Sequence, residues 1–294
     1  MWLFEVESTR RTRPVPRPFL KWVGGKAQLL GELTQRVALA RPFGRYHEPF
    51  VGGGALFFEL VRADGLGQRR ALLSDNNARL IETYSMVQER VEEVIALLRE
   101  HKERHGKEHY YAVRAAAPAT AVARAARLIY LNKTCFNGLY RENSRGAFNV
   151  PMGTYKDPPI CDAVNLRAVS AALRRARIEQ RPFGSVIQRA AAGDLVYFDP
   201  PYHPVNATSS FTAYEQNNFG EADQRELAEV CVELTRRGVK FVLSNSYTPL
   251  ILELYRARGF AVEEVFAARM VNSKAARRGK ISEALVHNLM RNEE

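Results

Sequence analysis

The chain reads as an α/β protein, a mostly parallel sheet carrying a second, smaller and mainly helical domain. Three observations predict this. Short apolar runs alternate with helix-length stretches on both sides of a long helical insertion. Near the start, a strand, a glycine turn, a helix, a second strand and an acid follow one another, the order of a nucleotide-binding βαβ unit. Further on, the apolar run Leu195-Val196-Tyr197-Phe198 reads as a buried strand that ends on Asp199-Pro200-Pro201-Tyr202.

Taken in order, residues 1–17 end in Arg10-Arg11-Thr12-Arg13-Pro14-Val15-Pro16-Arg17, too basic and proline-rich for a packed element, and are expected to form a flexible arm. A helix-like stretch follows Phe19-Leu20-Lys21-Trp22-Val23-Gly24-Gly25-Lys26 and runs to about Val37. His47-Glu48-Pro49-Phe50-Val51 reads as a strand entering Gly52-Gly53-Gly54, and helical spacing resumes from Ala55 to Arg62. Ala71-Leu72-Leu73-Ser74 is a second strand, stopped by Asp75. Residues 77–132 are mostly helical in pattern, 133–159 carry the turn chemistry of loops or a hairpin, and 162–176 are helical again. Strands are expected at 177–180, 195–198, 239–243, 260–266 and 283–289, with helices at 221–237 and 249–258. The expected division is therefore a catalytic unit from 18–76 and 177–294, interrupted by a target-recognition unit at 77–176.

At 294 residues the chain suffices for one large domain with an insertion or two ordinary ones, and 46% hydrophobic content excludes wholesale disorder. Lys and Arg number 43 against 32 Asp and Glu, a net +11 that favours a polyanionic partner such as nucleic acid. Cys135, Cys161 and Cys231 are odd in number and far apart, which points to reduced thiols in a cytoplasmic protein and to no Cys-x-x-Cys metal site. No run reaches membrane-spanning length. His101, His105 and His109 share a four-residue spacing but lack a nearby acidic or thiol partner, and read as a solvated polar face; no metal is expected.

The strand-end tetrapeptide carries the chemistry. Asp199 can accept one hydrogen of a planar amine, the Pro200 carbonyl the other, and Tyr202 can stack on the attached ring. The Pro200-Pro201 step aims that carbonyl at little entropic cost, because proline fixes φ. An amine held by both hydrogens has its lone pair drawn out of conjugation, ready to attack a methyl group. The glycine turn lets backbone approach a cofactor closely, and Asp75, about twenty residues on, stands where an acid accepts both hydroxyls of a ribose. The competing reading of Asp75 is a helix N-cap. The absence of Gly-x-Gly-x-x-Gly and of a phosphate-loop Gly-Lys-Ser/Thr argues for a nucleoside without a pyrophosphate, such as S-adenosylmethionine. Basic Arg124, Arg127, Lys133, Arg141, Arg145, Lys156, Arg174, Arg175, Arg177 and Arg181 alternate with Phe136, Tyr140, Phe148 and Tyr155, a mixture suited to phosphates, guanine edges and a gap in a base stack.

Together these strings resemble the alpha group of adenine-specific DNA methyltransferases, the DNA adenine methylases (Dam) and their GATC-modifying relatives, from about Pro18 to Asn288. The resemblance rests on Phe19 to Lys26, Glu48 to Gly54, Asn137-Gly138-Leu139-Tyr140-Arg141, Phe148-Asn149-Val150-Pro151 and Asp199 to Tyr202, in that order. It implies the fold of S-adenosylmethionine-dependent methyltransferases, Rossmann-like with a C-terminal antiparallel hairpin. It also implies that Asp199, Pro200, Pro201 and Tyr202 are catalytic, and that Trp22, Lys26, Glu48, Phe50, Gly52, Gly54, Asp75, Phe183 and Asp199 surround S-adenosyl-L-methionine. Lys21, Phe136, Asn137, Leu139, Arg141, Pro151, Tyr155, Arg277 and Arg278 are implied to meet DNA. Phe136 replaces the tyrosine of Dam, keeping an aromatic wedge without its hydroxyl. The activity implied is N6-methylation of a flipped adenine in double-stranded DNA, within GATC, by a monomer working at the nucleoid, as in a restriction-modification system or alone. An RNA adenine methyltransferase would share the pocket and cofactor but not the target loop. A DNA-binding module without catalysis would not need Asp199, Pro200 and Tyr202 intact.

Overall fold

The computed structural model describes residues 14–22, 26, 28–143, 145–205, 219–268 and 280–289. Seven strands form one sheet: β1 (Tyr46–Glu48), β2 (Ala71–Asp75), β3 (Ala176–Gln180), β4 (Leu195–Phe198), β5 (Lys240–Ser246), β6 (Ala261–Ala268) and β7 (Lys280–His287). Their spatial order is β3-β2-β1-β4-β5-β7-β6. The first five are parallel and β7 inserts antiparallel between β5 and β6, so the expected parallel sheet with a C-terminal antiparallel hairpin is what forms. Strand order reverses between β1 and β4, and in open α/β sheets ligands settle at that reversal, outside the carboxyl ends of the strands.

β4 is buried at all four positions, as the continuous apolar run requires of a strand covered on both faces. β1 is shorter than its sequence suggests, since Pro49 has no amide hydrogen for a ladder; the chain turns there into the glycines. The helices α1 (Leu30–Leu39), α2 (Ala55–Arg62), α3 (Ala78–Glu89), α4 (Val91–Glu103), α5 (Lys107–Ala115), α6 (Ala121–Thr134), α7 (Ala163–Leu173), α8 (Glu221–Arg236) and α9 (Pro249–Arg256) fall close to their expected places. Asn77 caps α3, Thr120 caps α6 and Asp162 caps α7, each accepting a backbone amide three residues on. Pro249 starts α9 at a position where its missing N–H costs nothing.

Two apolar clusters flank the sheet. One joins α1 and α2 to the inserted helices α3 to α7, so the insertion shares a core with one face. The other packs α8 and α9 on the opposite face around Phe198 and Phe241. The three histidines do not form a solvated face: His101 stacks on Tyr130 at 4.8 Å and bonds His109 at 3.0 Å, while His105 bonds the Tyr130 hydroxyl at 2.9 Å. The reason is that α4, α5 and α6 converge there, and burial holds His101 down to about 4. Cys135 and Cys231 are buried and all three cysteines are free thiols. No described helix is long and apolar enough to cross a membrane.

Candidate active site

The carboxyl ends of β1, β2 and β4 bring together Glu48, Asp75 and Asp199, which lie far apart in sequence. Asp199 keeps 22% of its side chain exposed, next to a strand whose other side chains are buried. Its Oδ1 atom takes the Lys26 ammonium at 2.8 Å and the Ser244 hydroxyl at 3.0 Å. Both of these donors act on the same carboxylate oxygen. Burial pushes the Asp199 carboxyl up, and the Lys26 charge opposes it. Lys26 also lies 4.3 Å over the ring of Tyr202. Lys26, which the resemblance places along the cofactor, is ion-paired with Asp199.

The two prolines run into a clamp at the end of β5. Gln224 donates to the Pro201 carbonyl at 3.0 Å, Asn245 donates to Gln224 at 3.0 Å, and the Asn245 oxygen accepts from His203 N at 3.1 Å. Both amides are buried and their bonds close a loop. Tyr202 donates to Glu283 on β7 at 2.6 Å, which fixes the tilt of its ring. Burial raises the Glu283 carboxyl. Ser244, Asn245, Gln224 and Glu283 were missed from sequence; the only trace of them was the polar ending Ser244-Asn245-Ser246 of an otherwise apolar run.

Beside this, Glu48 is 2% exposed and accepts from Tyr46 at 2.9 Å. Burial, with Asp199 nearby, raises it to about 8. Asp75 takes the Gly52 amide at 3.2 Å on Oδ2 and the Asn77 amide at 3.0 Å on Oδ1. The capping role belongs to Asn77, so the N-cap reading of Asp75 is set aside, and its acid ties the glycine turn to β2. Gly52 and Gly54 have φ of +46° and +66°; a Cβ on Gly52 would lie 2.9 Å from the Trp22 ring and one on Gly54 2.9 Å from the Tyr84 hydroxyl. Trp22 itself stacks on Tyr140 at 5.4 Å. Phe50 and Phe183 stack on each other at 5.3 Å, with Phe219 edge-on to both. An acid at the end of β2, a close-approach turn, a pair of flat rings and a buried carboxyl suit the hydroxyls, backbone, purine and ammonium of S-adenosylmethionine.

The loop that follows α6 is tied to Lys21 through Asn132. Asn132, 1% exposed near the end of α6, accepts from Lys21 N at 2.7 Å and donates to the carbonyls of Lys21 at 2.7 Å and Gly138 at 3.1 Å. Lys21 Nζ stands 4.1 Å over the Tyr155 ring. Phe136 is 51% exposed at the start of the loop, its amide tied to Pro151, and Asn137 has φ of +54°. Arg141 is exposed and donates to Asn149 at 2.8 Å; Leu139 is half-buried behind it. Isolated bridges Cys135 to Met152 and Glu142 to Phe148 give the expected hairpin-like loop. Arg277 and Arg278 lie outside the described residues. Not every basic residue of this region is available: Arg124 is paired with Glu82, and Arg177 and Arg181 with Glu179. A cavity of about 600 Å³ lies behind the loop, away from Asp199, lined by Arg79, Arg114, Arg127, Tyr140, Glu142 and Asn149 among others.

Comparison with known proteins agrees with the geometry. Residues 22–271 match the family model described as D12 class N6 adenine-specific DNA methyltransferase. The chain is 39% identical over 280 residues to Type II methyltransferase M1.LlaDCHI of Lactococcus lactis subsp. cremoris, covering 92% of this chain and 95% of that one. It is 41% identical over 289 residues to Type II methyltransferase M.MjaIII of Methanocaldococcus jannaschii, covering 92% and 99%. It is 35% identical over 274 residues to the DNA adenine methylase of Escherichia coli, covering 92% and 94%. A strand-end carboxylate followed by a proline step at the strand-order reversal, in a chain matched over most of its length, leads to one conclusion: this chain belongs to the D12 class of N6 adenine-specific DNA methyltransferases.

Proposed function

We propose that the protein methylates the N6 amine of an adenine flipped out of duplex DNA, within GATC, using S-adenosyl-L-methionine. The observation that carries this reading is the Asp199 carboxylate at the strand-order reversal, held through Oδ1 by Lys26 and Ser244, with the Pro200 carbonyl next along the chain. Asp199 and Pro200 accept the two amine hydrogens, and Tyr202, steadied by Glu283, stacks on the purine. When bound, the cofactor supplies an activated methyl group carried on a positive sulfur. Positive charge then develops on the attacking nitrogen, and the Asp199 carboxylate stands where it appears. Lys26 helps keep that carboxylate ionised before substrate arrives. The extra proton leaves the methylated amine through Asp199 to solvent.

Gly52, Gly54, Asp75, Trp22, Phe50, Phe183 and Glu48 form the cofactor side, with Asp75 on the ribose, Glu48 on the ammonium and Phe183 against the adenine. The unit at 77–176 reads the target. Unstacking a base costs a few kcal/mol, and Phe136, exposed where the loop leaves α6, fills the gap and offsets part of it, with Asn137 beside it. Leu139, Arg141, Pro151 and Tyr155 meet base edges, and Lys21 reaches a guanine. Arg277 and Arg278 meet phosphate. We place the protein in the cytoplasm, at the nucleoid. The test uses plasmid lacking adenine methylation, incubated with the protein and cofactor and then digested. Resistance to a nuclease blocked by methylated GATC, with other sites still cut, is expected; protection at a different site would overturn the GATC assignment, and methylation of RNA in preference to duplex DNA would overturn the substrate.

A further inference from the structure

Two side chains behind Asp199, Ser244 and Tyr197, have no role so far. β4 and β5 run side by side with Phe198 opposite Leu243, so the next residues along, Asp199 and Ser244, are neighbours at the carboxyl edge. Ser244 is fully buried, and its Oγ lies 3.0 Å from Asp199 Oδ1 and 3.0 Å from the hydroxyl of Tyr197, 1% exposed. Hydrogen-bond chemistry gives this row a direction. An ionised carboxylate only accepts, so Ser244 spends its one proton on Asp199. Its oxygen must then accept from Tyr197, which makes the row run Tyr197 to Ser244 to Asp199. Lys26 sits on the same carboxylate oxygen, so Ser244 and Lys26 both hold Oδ1.

We infer that Ser244, oriented by Tyr197, is the positioning residue that fixes the rotation of the Asp199 carboxylate and reserves Oδ2 for the substrate amine. This rests on the reading of Asp199 as the acceptor for that amine. Without the Ser244 donor the carboxylate can swing about its Cβ–Cγ bond, and either oxygen can turn toward Lys26. The loss then falls on the methyl-transfer step, because only there is the geometry of Oδ2 tested. Neither Ser244 nor Tyr197 reaches the open edge, so DNA and cofactor affinities are left alone.

The experiment measures single-turnover methyl transfer from labelled S-adenosylmethionine to unmethylated duplex DNA, with both binding constants, for the wild type, Ser244→Ala and Tyr197→Phe. Loss of one hydrogen bond to a charged group predicts a transfer rate about tenfold to a hundredfold lower for Ser244→Ala, and a smaller loss for Tyr197→Phe. The acid limb of the pH–rate profile moves to higher pH in Ser244→Ala, since a donor to the charged form of Asp199 is gone; a role confined to packing would leave that limb in place. A wild-type rate and unmoved limb in Ser244→Ala overturn the inference, as does a loss confined to cofactor or DNA binding. Should Ser244→Ala fail to fold, Tyr197→Phe decides by the same two readings. Failure of the wild type to transfer methyl at all would instead sink the underlying assignment of the active site.

Discussion

Glu48 is the residue whose environment differs most from its sequence context. In a strand ending His47-Glu48-Pro49 nothing marks it as neutral, yet burial raises it to about 8. The empty folded protein therefore keeps a proton near neutrality that the unfolded chain loses above its ordinary 4.5, and folding stability drains away as pH climbs from 4.5 to about 8. If Glu48 meets the cofactor's ammonium, binding ionises it. Calorimetry at pH 7 in buffers of different ionisation enthalpy should show release of about one proton per cofactor bound, absent in Glu48→Gln. Equal release from both proteins would remove Glu48 from the cofactor site. Arg141 offers a second test at this scale. Its exposed guanidinium donates to Asn149; if it takes two acceptors of a guanine, Arg141→Ala should cost about 1–3 kcal/mol of discrimination and relax sequence choice. An equal loss of affinity for every sequence would make it a phosphate contact.

At the scale of elements, legibility followed continuity. Asp199 to Tyr202 and Gly52 to Gly54 were readable because each group is contiguous and its residue types already state a chemistry. Asn132, Gln224, Asn245 and Glu283 were not, because each works only where the fold sets another strand or loop beside it. The turn after β1 shows what contiguity can predict. Gly54 lies at the left-handed start of α2, and a Cβ there would sit 2.9 Å from the Tyr84 hydroxyl and 3.1 Å from the Phe58 ring. Gly54→Ala should cost about 2–4 kcal/mol, the sum of backbone strain and overpacking. Gly31, inside α1 with nothing within 4 Å of its added Cβ, should respond with the opposite sign, gaining about 0.5–1 kcal/mol as alanine. Urea unfolding of both variants checks the contrast, and a neutral Gly54→Ala would show that the turn can shift away from Tyr84.

For the whole molecule, the order of strands was implicit in the resemblance and only partly in the pattern of apolar runs. Periodicity gave nearly every strand and helix of the described chain, but not that β7 slips between β5 and β6, since pairing depends on neighbours that a single segment does not name. That insertion matters to function: it carries Glu283 to Tyr202, while the reversal between β1 and β4 opens the edge where Glu48, Asp75 and Asp199 meet. A net charge of +11 suits the protein to a polyanion, although Arg124 of the insertion is already paired with Glu82, and Arg177 and Arg181 beyond it with Glu179.

The central claim is that Asp199 grips the amine that receives the methyl group. Unmethylated duplex DNA, treated with the protein and S-adenosylmethionine and then digested to nucleosides, should yield N6-methyladenine with the wild type and almost none with Asp199→Ala, even though that variant still binds DNA and cofactor. Full methylation by Asp199→Ala, or methyl recovered on a base other than adenine, would contradict the account.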